Sequence, residues 1–261
     1  MSFLNEFPHS HFLDDIVSWA SLASLRRHIV SSLVYSAETS ERNQFTLPRS
    51  KRLIWILLAC CIQMIYLPAS NQVTGGIEPK LPIDIFPVWP VWVLPYVLCY
   101  ILWFAGFARV IFKADDRQFR SFLAACILTF ALGVSTFIFF PTYVKPVFLQ
   151  GSDIFTSILR IFHEETGRYA ALPSGHVYIT TLLALFFARW HPRSSLLWTL
   201  IVVIVSLSTL FTGQHYILDV LGGYLVALVG YYFGLWWAGF YSVQRLFSKR
   251  SGKSITSSTL N

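Results

Sequence analysis

The sequence predicts an all-α, polytopic membrane protein: a bundle of six transmembrane helices with the N- and C-termini cytoplasmic. Three observations carry that prediction. The 261 residues are 55% apolar and 13% charged, with a mean hydropathy of +0.57, more apolar surface than a water-soluble domain of this size can hide. Six apolar segments come near the ~20 residues needed to cross the hydrocarbon. The basic residues also collect on one side of those segments.

Taken in order, the segments are 53–67, 91–111, 122–140, 174–190, 196–212 and 216–238. Pro90 and Pro95 predict a kink or a late helix start in the second. With both termini inside, Arg26, Arg27, Arg42, Arg49, Lys51, Arg52, Arg109, Lys113, Arg117, Arg120, Arg189, Arg193, Arg245, Lys249, Arg250 and Lys253 fall on the cytoplasmic side. Only Lys80, Lys145, Arg160 and Arg168 fall outside, so 16 of 20 basic residues obey the positive-inside rule. Trp89 and Trp92 would belt the outer interface, and Trp55, Trp190, Trp198, Trp236 and Trp237 the inner one.

Three regions follow: a polar N-terminal stretch over 1–50, partly helical in period; a six-helix catalytic domain over 51–243; and a basic, Ser/Thr-rich cytoplasmic tail over 244–261, disordered from Ser251. A net charge of +7 suits cytoplasmic loops and anionic lipids, and nucleic acid is not an expected partner. Cys60, Cys61, Cys99 and Cys126 all lie in apolar runs and read as small buried residues. The first residues show no basic region followed by an apolar core, so no cleavable signal peptide is expected. Gly230 and Gly234 form a G-x-x-x-G that reads as close packing within the bundle. The loop 141–172 holds an expected short helix over 153–163, where a lipid substrate would approach.

Two motifs carry chemistry. In Pro173-Ser174-Gly175-His176 a proline and a capping serine open a helix, whose unpaired N–H groups beside a bare glycine can cradle a phosphate. His176 would stand ready to give a proton to a leaving oxygen. Alone, the motif is equally an ordinary capped helix with an interfacial histidine. In His215-Tyr216-Ile217-Leu218-Asp219, the carboxylate four residues on can take the Nδ1 proton of His215 and leave Nε2 as a nucleophile. The alternative is a His–Asp hydrogen bond that merely anchors the last span, but ionisable groups near membrane depth are more often functional than decorative. His163, Glu164 and Glu165 have no further ligand at matching spacing, and no metal site or cofactor is expected.

Together the two motifs resemble the type 2 phosphatidic acid phosphatase superfamily, over about 53 to 240 and most strongly from Arg168 to Gly223. The resemblance implies six spanning helices and an outward-facing site. By it, His215 is the nucleophile that forms a phosphohistidine, Asp219 its orienting partner and His176 the general acid. Ser174 and Gly175 are then phosphate ligands. Two departures stand out. Ser208-Thr209 replaces the Ser-Arg of the family's third signature, and the first signature is not in standard form. Lys113 and Arg120 have its internal spacing but lie a full helix from His176, a decoy. Lys145-Pro146 stands in better for its Arg-Pro, and Arg168 can supply a second positive charge. The stretch from Phe211 to Gly223 looks closer to the branch containing inositol-phosphorylceramide and sphingomyelin synthases.

The leading expectation is therefore an integral-membrane lipid phosphate phosphatase without metal, its site on the non-cytoplasmic face (periplasmic, extracellular or lumenal). A lipid phosphotransferase with an alcohol acceptor and a non-catalytic lipid binder are the alternatives. The expected partners are a lipid phosphate and the bilayer. Which lipid, and which oligomeric state, the sequence leaves open.

Overall fold

In the computed structural model the described residues are 47–73, 75–165 and 169–255. The N-terminal region expected over 1–50 lies almost wholly outside them, as does Arg168. In chain order the helices are α1 (Arg49–Met64), α2 (Tyr66–Gln72), α3 (Val93–Lys113), α4 (Asp116–Phe139), α5 (Ile154–Glu165), α6 (Gly175–Trp190), α7 (Ser195–Phe211) and α8 (Ile217–Ile255). Among the described residues there is no strand, only an isolated bridge between Ile77 and Thr142.

Five stretches among the described residues are long and apolar enough to cross a membrane: Arg49–Gln72, Pro90–Lys113, Asp116–Phe139, Pro192–Phe211 and Ile217–Gly239. The expected segment 174–190 forms α6, but its 16 residues rise only about 24 Å, short of a ~30 Å hydrocarbon core. It is instead the most enclosed helix. Tyr178, Leu182, Leu183 and Phe186 on it are at most 1% exposed, as befits a helix apolar on every side. The second span does begin late: Pro90–Trp92 makes one 3-10 turn before α3 starts at Val93. The backbone of α8 stays helical to Ile255, through the basic segment expected to be tail.

At the end away from α6's start, helix ends are satisfied by one local device and one distant side chain. Asp115 and Gln118 form a reciprocal capping box at the head of α4. Arg52, 7% exposed, donates to Ala114 O at 2.6 Å and to Asp116 Oδ1 at 2.7 Å, tying α1 to the turn between α3 and α4. It thereby satisfies a carbonyl just past the C-terminus of α3 that would otherwise lack a donor.

Gly230 and Gly234 lie against α4. A Cβ on Gly234 would meet Ala125 Cβ at 2.8 Å and run into the backbone oxygen of Ser121. Small residues here let two spanning helices approach closely, as in other membrane bundles. Replacing Gly234 by valine forces backbone apart rather than a flexible side chain. The expected loss is about 1–3 kcal/mol, read as a lower unfolding temperature of the purified protein in detergent; unchanged unfolding would refute this packing.

Candidate active site

Two helix starts meet at one point. The Ser174 N–H donates to Asp219 O at 2.9 Å, linking the residue before α6 to the first turn of α8. Behind this bond, a Cβ on Gly223 would meet Val177 Cβ at 2.9 Å and Ser174 O at 3.0 Å, so only glycine permits the approach. His176 and His215 consequently face one another with ring centroids 6.4 Å apart. Both line a cavity of about 810 Å³, together with Gly175 and Lys145.

The loop before α8 is held from several sides. Gly213 has φ +68°, the left-handed conformation that ends α7 and favours glycine. The N–H groups of Gln214 and His215 both donate to Thr209 O at 3.1 Å. Asp219 is 0% exposed, and its Oδ2 accepts from Tyr216 N at 2.8 Å. His215 Nδ1 stands 3.4 Å from the same oxygen, longer than an ordinary hydrogen bond. Asp84, which sequence reasoning missed, accepts from Ile217 N at 2.9 Å and from Leu81 N at 2.7 Å, capping α8 from a distant loop.

His176 sits in an aromatic box. Tyr96 stacks on it at 4.0 Å between centroids, Trp103 lies at 5.4 Å, and the Tyr100 hydroxyl meets Nε2 at 3.0 Å. Ser174 occupies the N-cap position of α6 but makes no capping hydrogen bond. The expected serine cap is thus replaced: Ser174 Oγ is buried without a partner, because Ser174 is wedged between α6 and α8. It does not line the cavity, whereas Gly175 does.

Lys145 also reaches the cavity, but it is engaged. Its Nζ lies 2.8 Å from Glu78 Oε2, and Glu78 Oε1 accepts from the Tyr216 hydroxyl at 2.7 Å. The hydrogen bond from Lys145, then that from Tyr216, hold the Glu78 carboxyl below its usual range, and the same bond raises Lys145. Burial, followed by the bond to Glu78, pushes the Tyr216 phenol up to about 12. Pairing between the loops at this end sets this up: Ile77 N donates to Pro141 O, Tyr143 N to Ile77 O, and Ala171 N to Thr142 O. Three distant stretches, carrying Glu78, Lys145 and the approach to Ser174, are thereby stitched together.

His163 on α5 lines the cavity too, its Nε2 bonded to Thr212 O at 2.9 Å. Burial lowers its pKa, against the smaller raising effect of that bond. Lys113 lies near Arg109 and His191 in a separate small hollow, and Arg120 pairs with Asp116 at 3.9 Å, so both stay away from the histidines. Among the described residues no group of three His, Cys, Asp or Glu side chains converges as a metal site.

A model of the PAP2 superfamily matches residues 88–233, more than half of the chain. The chain belongs to the PAP2 superfamily. Among solved structures it is similar to the crystal structure of Aquifex aeolicus LpxE, at 15% identity and a TM-score of 0.43, covering 66% of this chain and 93% of that one. No curated protein matches the chain in sequence.

Asp84 is buried and holds the first free N–H of α8, so Asp84→Ala removes a cap and orphans a donor. The expected loss is about 1–2 kcal/mol of stability. Thermal unfolding in detergent measures it, and an unchanged midpoint would show that Asp84 does not hold the His215 loop.

Proposed function

We propose that the protein hydrolyses a lipid phosphate at this site through a phosphohistidine intermediate, without a metal. The observation that best supports this reading is the pair of histidines facing across the cavity, His215 with a carboxylate at Nδ1. In the first step His215 Nε2 attacks phosphorus and the bond from phosphorus to the lipid oxygen breaks. His176 gives its proton to that oxygen, and the lipid alcohol leaves. In the second step water attacks phosphorus and passes a proton to His176, and the bond from phosphorus to His215 breaks to release phosphate. Asp219 orients His215 and stabilises its charged form.

The phosphoryl oxygens gain charge in both steps and need fixed donors. The N–H groups at the start of α6, beginning at Gly175, supply them together with the cations Lys145 and Arg168; Ser174, buried outside the cavity, contributes by holding α6 against α8. Tyr100 is a positioning residue, holding the His176 ring through Nε2. In the bilayer α6 counts as the sixth span, both termini are cytoplasmic, and the site opens on the non-cytoplasmic face. The charge asymmetry supports that orientation: Lys80, Lys145 and Arg160 lie with the site, whereas the end of α3 and the start of α4 carry Lys113, Arg117 and Arg120.

A second reading, transfer to a lipid alcohol, draws on the cavity. At about 810 Å³, with Tyr66, Trp103 and Phe137 on its walls, it exceeds what a phosphate alone requires. In that case the acceptor hydroxyl replaces water in the second step.

Purified protein with EDTA, offered a panel of lipid phosphates and diphosphates with and without diacylglycerol or ceramide, separates these readings. Free phosphate without acceptor marks the hydrolase, and a new phospholipid formed only with acceptor marks the transferase. His215→Ala is expected to lower either product at least about 100-fold; retained turnover would remove His215 from the mechanism. Tyr100→Phe is expected to lower kcat about ten-fold, the worth of one hydrogen bond, with KM little changed. A change confined to KM would make Tyr100 a substrate contact instead.

A further inference from the structure

We propose that Gln63 is a phosphate ligand, donating from its side-chain amide to a phosphoryl oxygen held at the start of α6. The proposal rests on the phosphate site described above and names the neutral donor that α1 adds to it.

Gln63 lies in the apolar run Ala59-Cys60-Cys61-Ile62-Gln63-Met64 of the first spanning stretch. An amide at such depth is expensive unless it is satisfied, and polar residues there mark substrate paths. Gln63 is half-buried and lines the cavity beside Gly175 and His176. Its oxygen is spoken for: the Tyr178 hydroxyl donates to Oε1 at 2.6 Å. That bond fixes which way the amide faces. It leaves Nε2, which has no partner among the described residues, as the end that presents two N–H donors.

Tyr178 also locates this amide. Its hydroxyl lies 3.6 Å from where a Cβ on Gly175 would be, and 3.0 Å from where one on Gly133 would be. The amide therefore stands next to the glycine whose bare backbone opens the helix start to an anion. The position where the family resemblance implies arginine cannot help, because Thr209 is 0% exposed and bonds to Ser206 O at 2.8 Å. Lys145 is shared with Glu78. A donor from α1 supplies a contact to phosphate that Thr209 lacks and that Lys145 must divide with Glu78.

Inorganic phosphate and orthovanadate are titrated calorimetrically onto the purified, full-length protein in detergent. Gln63→Glu keeps an oxygen for Tyr178 but replaces the donor by an acceptor. It is expected to weaken both anions at least about ten-fold, with the unfolding midpoint unchanged. Tyr178→Phe, which frees the amide to rotate, is expected to weaken them about three-fold. If Gln63→Glu fails to fold, Gln63→Met, apolar and of equal length, carries the same expectation. A folded Gln63 variant that binds both anions as tightly as the unaltered protein overturns the proposal and leaves the phosphate site standing. An unaltered protein that binds neither anion overturns the phosphate site, and this proposal with it.

Discussion

The site depends on one close approach: the hydrogen bond from Ser174 N–H to Asp219 O, backed by Gly223 against Val177. A helix start is rich in unpaired N–H groups; that of α6 can offer them to an anion, whereas that of α8 is already capped by Asp84. The same contact fixes the spacing of the two imidazoles, because each histidine lies within a few residues of it. A side chain at Gly223 would part the helices and separate the histidines without touching either ring. The chemistry is therefore a property of helix packing before it is a property of side chains.

The loops around the site form a second layer of constraint. Stretches around Ile77, Thr142 and Ala171 are far apart in the chain, yet backbone hydrogen bonds join all three. These bonds convert long connections into a rigid rim and bring Glu78 and Lys145 over the cavity. Asp84 extends the rim to α8, since its carboxylate holds Ile217 N directly. Loops near a bilayer surface must satisfy their own backbone, and here that requirement also positions function.

Much of this was legible in the sequence, for definite reasons. Apolar runs bounded by charges predicted the helices, and the bounds observed for α3, α6 and α7 differ from the expected segments by about two residues, as helix ends do. His215 and Asp219 were legible as a pair because four residues separate them at a helix start, and His176 as the histidine of its own helix start, although its hydrogen-bond partner Tyr100 lies on another helix. Glu78, Tyr100, Gln63 and Asp84 were not, because their roles arise from contacts between elements far apart in the chain. A lone glutamine in an apolar run is the one signal the sequence offers for any of them. Ser174 was misread as a cap because sequence gives residue preference but not burial. The shortness of α6 was readable too, although its enclosure by other helices, which makes that length tolerable, was not.

Thr209 shows how a family site can be rebuilt around a missing charge. Its side chain is sealed in helix packing, while its carbonyl accepts the N–H groups of Gln214 and His215. The residue thus supports the proposed nucleophile through backbone alone. Positive charge then has to come from the rim, where Lys145 already has a carboxylate at 2.8 Å. An arriving anion must compete with Glu78 for that ammonium, and Glu78 also holds the hydroxyl of Tyr216, the neighbour of His215. Any movement of Lys145 toward phosphate therefore weakens one bond to Glu78 and leaves that carboxylate leaning on Tyr216. Cation and nucleophile loop are coupled through a single acidic side chain, a linkage that a fixed arginine on the helix would not have created.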